Sequence, residues 1–316
     1  MKRTDRHFRF MMRQLTRHTL LYTEMVTTGA ILYGDKERFL AFDPAERPLA
    51  LQLGGDDPEA LASCALVAEQ MGYDEVNLNV GCPSDRVQQG RFGACLMRHP
   101  QIVAAAVDKM RSTVDIPVTV KHRIGVDELN RYEDLENFVS IVNNAGCDRF
   151  TVHARLAWLD GLSPQQNREI PPLRYDDVYR LKQAFPNIFI ELNGGVKTLE
   201  QVARHLEQID AVMVGRAAWD TPFLFANVDQ MVCGVDDPIP SRDDVVRQLI
   251  PTVAQWRQRG IKLTRLIRPM LNLYARQRGS RIWKRILTEK SSDREAGVEV
   301  IEEALEAVVA KQANNV

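Results

Sequence analysis

Cys82 lies in a Gly-Cys-Pro turn three residues after Asn79, and a thiol in that setting can act as nucleophile or as general acid. Nothing beside it decides between the two, and no Ser/His/Asp arrangement competes. Asn79 has the donors and acceptors to orient a planar heterocycle. Gln52, Lys121 and His153 stand at the ends of three other short apolar runs, and Asn193-Gly194-Gly195 and Gly215-Arg216 follow two more. Singly, each residue has an ordinary explanation. A lysine at a strand end snorkels, a lone histidine is usually satisfied in a core, and Gly-Gly usually makes a turn. Together they read as a site. The glycines let backbone N–H groups approach a phosphate, and Arg216 adds charge and a bidentate grip. Lys121 and His153 would then face the other end of a phosphate-bearing ligand. No G-x-G-x-x-G or Walker motif is present. Cys64 and Cys147 sit on apolar segments and read as small core fillers.

The elements that must position these residues alternate along the chain. Strand candidates are Leu21–Val26, Leu49–Leu53, Glu75–Val80, Pro117–Lys121, Arg149–His153, Ile188–Leu192 and Ala211–Val214. They are short, rich in Val, Ile and Leu, and read as a parallel sheet covered on both faces. Helical patterns separate them at Pro58–Met71, Pro100–Arg111, Asp134–Ala145, Tyr175–Ala184 and Thr198–Leu206. Connections into strands are short, whereas Gly81 to His99, His122 to Arg131 and Ala154 to Leu173 are long and leave strands. Long ordered loops on one side match the working face of a (β/α)8 barrel, where a phosphate commonly sits in the loops after the last two strands. Only seven strands are counted, and a helix at His7–Leu15 precedes the first of them. The expectation is an α/β barrel whose first strand is missing from this chain. A barrel domain is expected over residues 1–232, a linker over 233–241 and a small helical domain over 242–316. Ser241 and Asp244 form a capping signal at the start of that last domain.

The chain has 316 residues, 45% of them hydrophobic and 26% charged, and a formal net charge of −1. That composition excludes a disordered or fibrous protein. No run approaches a membrane span, and no signal peptide is expected. Five cysteines without a C-x-x-C argue for reduced thiols in the cytoplasm and against a disulfide scaffold or a metal site. The near-zero charge hides a cancellation. Between Arg257 and Lys290 stand eleven Lys and Arg and a single acid, Glu289, so the segment carries +10 and the remainder −11. Such a run reads as a polyanion-binding surface, with Trp256, Tyr274 and Trp283 available to pack or stack.

These residues carry a resemblance to the tRNA-dihydrouridine synthases. Asn77-Leu-Asn-Val-Gly-Cys-Pro-Ser84 is similar to the active-site signature of that family, and His153 to Leu173 is similar to its A-type branch. The likeness runs from Thr4-Asp5-Arg6-His7 to the C-terminal helices. It implies an FMN-containing barrel with a helical domain that uses NADPH to reduce uridines at positions 20 and 20a of the tRNA D-loop. By the same resemblance Gln52, Lys121 and His153 would contact the flavin, and Asn193, Gly194, Gly195, Gly215 and Arg216 would hold its phosphate. Cys82 would protonate C5 of uracil after hydride reaches C6, and Asn79 would hold the base. Gln165, Arg168, Arg281 and Lys284 fall where the branch is expected to meet tRNA. The family begins its barrel with a strand ending in Ala-Pro-Met, and Met1 falls just past that motif. A monomer is expected, without metal or membrane. The alternatives are a flavoenzyme reducing a free pyrimidine and a non-catalytic RNA-binding relative.

Overall fold

The computed structural model describes residues 3–313. The backbone separates into two compact units. One runs from Leu20 to Gly215, and the other joins the segment ending at Thr19 to the segment that begins at Arg216.

The first unit is a parallel sheet with helices returning between its strands. The strands are β1 (Leu21–Tyr22), β2 (Val26–Thr27), β3 (Leu49–Gly54), β4 (Glu75–Val80), β5 (Val118–Arg123), β6 (Arg149–His153), β7 (Ile190–Asn193) and β8 (Ala211–Met213). From β3 onward each pairs in parallel with the next. β1 and β2 both pair with β3, so the expected strand Leu21–Val26 is one sheet position interrupted at Thr23–Met25. Eight strands thus fill seven consecutive positions, and among the described residues no strand links β8 to β1. Accordingly, the residues of β8 are only half-buried.

The returning helices start where local chemistry dictates. Pro58–Gln70 has proline in its first turn, where the missing N–H costs nothing, and Asp57 as N-cap accepting from Glu59 N at 3.0 Å. Its buried stripe is Leu61, Ala62, Cys64, Ala65 and Ala68, and the four small residues let it lie close to its neighbours. Pro100–Arg111 likewise opens on proline.

One expectation about the strands fails. They read as near-continuously apolar, yet side chains alternate at period two, and in β4 to β7 the apolar residues share one face. Val76, Leu78 and Val80 are fully buried on that face. Glu75, Asn77 and Asn79 lie on the other face, and Thr119, Arg149 and Glu191 meet them or one another there. The Arg149 guanidinium pairs with Glu75 at 2.5 Å and with the Tyr22 hydroxyl at 2.7 Å, and Thr119 donates to Glu75 at 2.6 Å. Thr151 donates to Glu191 at 2.5 Å. The inner face of this sheet is a hydrogen-bonded, partly ionic layer, unlike the Val/Ile/Leu filling usual in such barrels. Burial pushes the Glu191 carboxyl up, with Arg149 and Thr151 opposing.

The second unit is helical, and it includes more chain than the expected 242–316. The helix Arg6–Arg13, capped by Asp5 accepting from Phe8 N at 3.1 Å, buries His7 and Phe8. His7 and Phe10 pack against Trp256, and Phe8 packs against Trp219. Asp229 accepts from Thr16 Oγ1 at 2.5 Å and from Arg17 N at 2.6 Å. Those aromatic and ionic contacts draw the N-terminal helix and residues 216–232 into this unit, although both were expected to belong with the sheet. The Ser241 cap is present, accepting from Asp244 N at 3.1 Å ahead of the helix Arg242–Gln258. No helix among the described residues is long and apolar enough to cross a membrane.

Candidate active site

Five of the expected residues meet at the C-terminal ends of neighbouring strands. Strand register places Gln52 of β3 beside Asn77 of β4, Asn79 beside Lys121 of β5, and His153 of β6 beside Asn193 of β7. Side chains then link across the register. Gln52 donates to Asn77 Oδ1 at 2.9 Å, Asn79 donates to Gln52 Oε1 at 2.8 Å, and Lys121 Nζ donates to Asn193 Oδ1 at 3.0 Å. Asn193 in turn donates to the Met213 carbonyl at 2.8 Å, tying β7 to β8. One N–H of its amide is thus committed to the sheet, and the other is left to meet a ligand.

Cys82 sits at the rim, partly exposed. Asn79 Oδ1 accepts from the backbone N–H of Gly81 at 3.2 Å and of Cys82 at 3.0 Å, which fixes the turn that presents the thiol. Cys82 Sγ lies 3.5 Å from Ser84 Oγ. With both acceptor positions and one donor of Asn79 committed, one amide N–H remains for a ligand. The other cysteines differ. Burial pushes the Cys147 thiol up to about 12 and Cys64 up to about 11, as expected of core fillers.

Electrostatics favour an anionic or electron-rich ligand. Burial holds the Lys121 ammonium down to about 8, repulsion from Arg123 adds to the fall, and Glu191 and Cys82 oppose it. Among the described residues no carboxylate is in hydrogen-bond contact with this half-buried lysine.

The glycine pair after β7 shows why no larger residue serves. Gly194 has φ +115° and Gly195 φ +75°, a region that penalises any Cβ. A Cβ on Gly195 would lie 2.5 Å from Leu173 Cδ1 and 2.6 Å from the Tyr175 hydroxyl. A Cβ on Gly194 would reach 3.4 Å from His153 Nε2, so the imidazole lies directly against this turn. At Gly215 a Cβ would meet nothing within 4 Å. Arg216 follows it and opens the helix Arg216–Asp220 in the helical unit.

Gln165 and Arg168 lie in the loop after β6, which a buried Asn167 holds in place. The Asn167 side chain accepts from the Trp158 backbone N–H and donates to the Trp158 carbonyl, each at 2.8 Å. Arg281 and Lys284 are exposed on the helix Ser280–Lys290, whose Trp283, Ile286 and Leu287 point into the core. Trp256, Tyr274 and Trp283, expected to be available to pack or stack, are all buried and pack. They hold the helical unit together and cannot meet a base. Spacing alone did not separate the two faces of those helices. A pocket of about 260 Å³ beside Lys284 is lined by Arg3, Trp219 and Arg268, with Arg3 and Arg268 each 5.5 Å from the Trp219 ring. Among the described residues one set of metal-type ligands converges, His18, Asp229 and Asp237, but both Asp229 oxygens already accept hydrogen bonds.

Several groups escaped sequence reasoning: Glu75, Thr119, Arg123, Arg149, Asn167 and Glu191. The signal was present as polar residues at every second position, Glu75-x-Asn77-x-Asn79, Thr119-x-Lys121-x-Arg123, Arg149-x-Thr151-x-His153 and Glu191-x-Asn193.

A parallel barrel-type sheet with a thiol, a lysine, a histidine and a strained glycine turn at its strand ends defines an α/β enzyme of the barrel class. The chain belongs to the dihydrouridine synthase family, whose model matches residues 1–313. It is 55% identical over 307 residues to the tRNA-dihydrouridine(20/20a) synthase of Synechocystis sp., covering 97% of this chain and 92% of that protein. It is 52% identical over 312 residues to the protein of the same name from Vibrio parahaemolyticus, covering 98% and 95%. Among solved structures it is similar to a 2-naphthoyl-CoA reductase with a TM-score of 0.54 at 11% identity, over 73% of this chain and 47% of that one. That last likeness concerns the fold.

Proposed function

We propose that this chain reduces the C5–C6 double bond of uridine in tRNA to 5,6-dihydrouridine, at D-loop positions 20 and 20a. The observation that carries the reading is the turn bearing Cys82, fixed by Asn79 at the same strand ends as Lys121 and His153. Membership of the dihydrouridine synthase family and the names of the relatives support the substrate.

The residues present fit FMN. The Gly194-Gly195 turn has positive φ and no room for a Cβ beside Leu173 and Tyr175, which leaves its backbone bare, and Gly215 stands open before Arg216 in the chain. Gly194, Gly195, Gly215, Arg216 and Asn193 would hold the phosphate, and Gln52, Lys121 and His153 the ring. Bound there, FMN would supply the hydride for uracil, with NADPH as the source of the electrons. Cys82 donates its proton to C5, and the thiolate regains a proton from water. One hydride and one proton thus add across the double bond. The free N–H of Asn79 donates to a uracil carbonyl. A thiol suits the donor role because an unperturbed cysteine, with pKa about 8.5, keeps its proton at pH 7.

A base inside folded tRNA must leave its stack to reach these groups, which costs a few kcal/mol. Gln165 and Arg168 of the sheet unit and Arg281 and Lys284 of the helical unit would meet the RNA, and phosphate contacts to the basic segment would offset that cost. The chain is proposed to act as a monomer in the cytoplasm, in keeping with its five free cysteines.

The test is Cys82→Ala. Dihydrouridine at positions 20 and 20a should vanish, while flavin absorbance and oxidation of NADPH by an artificial acceptor persist. Undiminished dihydrouridine in that variant would remove Cys82 as the acid. Protein that takes up no FMN would remove the flavin reading.

A further inference from the structure

A line of hydrogen bonds runs from the Cys82 turn down the inner face of the sheet to a buried carboxylate. The Cys82 backbone N–H donates to Asn79 Oδ1 at 3.0 Å, Asn79 Nδ2 to Gln52 Oε1 at 2.8 Å, and Gln52 Nε2 to Asn77 Oδ1 at 2.9 Å. Asn77 Nδ2 then donates to Thr119 Oγ1 at 2.9 Å, and Thr119 Oγ1 donates to Glu75 Oε1 at 2.6 Å. Glu75 is 3% exposed, and the Arg149 guanidinium and the Tyr22 hydroxyl donate to the same carboxylate.

Every bond in the line points the same way. A side-chain amide turned end for end keeps its shape and exchanges donor for acceptor, so shape alone does not orient Asn77, Gln52 or Asn79. The two ends of the line do. A backbone N–H only donates, and a carboxylate held by a guanidinium only accepts. The Thr119 hydroxyl can do either. With Glu75 beside it, the hydroxyl points its O–H at the carboxylate and leaves a lone pair for Asn77. The other acceptor within its reach, the Val76 carbonyl, is farther at 3.4 Å. That choice passes from Asn77 to Gln52 and on to Asn79. Gly81 and Cys82 select the same orientation from the other end, but theirs is a turn at a partly exposed rim, whereas Glu75 and Thr119 are buried within the sheet. The buried end is the fixed reference. Turned the other way, Asn79 would offer an oxygen where its nitrogen now stands, and a uracil carbonyl would meet no donor there.

We infer that Glu75 and Thr119 are positioning residues for uridine reduction: acting through Asn77 and Gln52, they hold the Asn79 amide with its oxygen on the Cys82 turn and its spare N–H toward the base. This rests on the reading of Asn79 as the group that holds the base.

The experiment uses the full chain loaded with flavin and tRNA that lacks dihydrouridine. Thr119→Val keeps the shape and removes the hydroxyl, so Asn77 loses its acceptor. The kcat for dihydrouridine formation should fall about tenfold, the worth of about one hydrogen bond, with KM for tRNA within about twofold because phosphate contacts dominate binding. Thr119→Ser returns the hydroxyl and should bring kcat back to within about threefold of wild type. In an Asn79→Ala background Thr119→Val should change kcat by less than about twofold, since the line acts through Asn79. Wild-type kcat in flavin-loaded Thr119→Val overturns the inference. So does a full tenfold loss added to that of Asn79→Ala, which would mark a general loosening of the sheet. If Thr119→Val does not fold, Thr119→Cys, close in size and a weak hydrogen bonder, decides: a fall in kcat at unchanged KM supports the inference, and wild-type kcat overturns it. Undiminished kcat in Asn79→Ala would sink the base-holding reading itself, whereas loss in Asn79→Ala with none in Thr119→Val sinks only the positioning role.

Discussion

Replacing Lys121 by methionine should make the flavin-free protein gain stability at neutral pH and lose affinity for flavin. The ammonium is held down from 10.5 to about 8, chiefly by burial. At about 1.4 kcal/mol per unit, the charged form costs the fold roughly 3 kcal/mol. Solvent reaches part of this half-buried side chain and lowers that figure, and its bond to Asn193 Oδ1 at 3.0 Å is lost in the variant, at about 1–2 kcal/mol. A net gain of about 1 kcal/mol remains, a rise of roughly 2–4 °C in the unfolding midpoint for a unit of this size. The pH dependence is the sharper signature. The folded value lies below the unfolded one, so between about pH 8 and 10.5 the unfolded chain binds more protons and wild-type stability rises with pH. The penalty is complete below about pH 8 and relieved above it. Methionine has no such penalty, so its advantage should be about 2 kcal/mol smaller at pH 9.5 than at pH 7 and turn into a deficit. Thermal unfolding of both proteins at the two pH values reads this directly, because other titrating groups are common to both. A stability difference that does not change with pH would refute the reasoning. Flavin titration should show at least a tenfold weaker affinity, in line with loss of a charge-assisted contact.

Three further outcomes are expected. Gly195→Ala must place a Cβ at φ +75°, against Leu173 and the Tyr175 hydroxyl; it should cost about 1–3 kcal/mol and abolish flavin uptake, read by absorbance after reconstitution. Arg149→Met strands the Glu75 carboxylate, 3% exposed, and should destabilise by about 3–5 kcal/mol, whereas adding Glu75→Gln should restore part of the loss in denaturant unfolding. Binding of tRNA should weaken steeply with salt, and Lys284→Ala should reduce the log–log slope by just under one in filter binding or fluorescence titration.

Much of this was legible in one dimension. Gly-Cys-Pro after Glu75–Val80 placed the thiol beyond a strand, and the long loops after the strands fixed which end of the sheet would bear the site. Asn193-Gly194-Gly195 announced a turn open to close backbone approach, and the structure makes that turn with positive φ at both glycines. Ser241 marked a helix start through its own side chain. Each of these signals is local, acting within a few residues.

What sequence did not decide depends on distant partners. Period-two alternation of Glu75, Asn77 and Asn79 was visible, but a polar inner face is stable only because Thr119, Arg149 and Gln52 arrive from other strands to satisfy it. Trp256 and Trp283 stand in the most basic stretch of the chain, where packing and stacking were both open; the structure buries them, because His7 and Phe10, some 250 residues upstream, pack against Trp256 and a Met270 carbonyl accepts from Trp283 Nε1 at 3.0 Å. Arg123 shares the period-two alternation of Thr119 and Lys121, but nothing local shows which carbonyls it would meet. Local residue types and spacing determined the kind of chemistry and the end of the sheet where it lies. Which polar groups are buried, and which of them are tied to the thiol, was decided only by the tertiary fold, since burial and hydrogen-bond satisfaction are properties of strands and loops that meet in space.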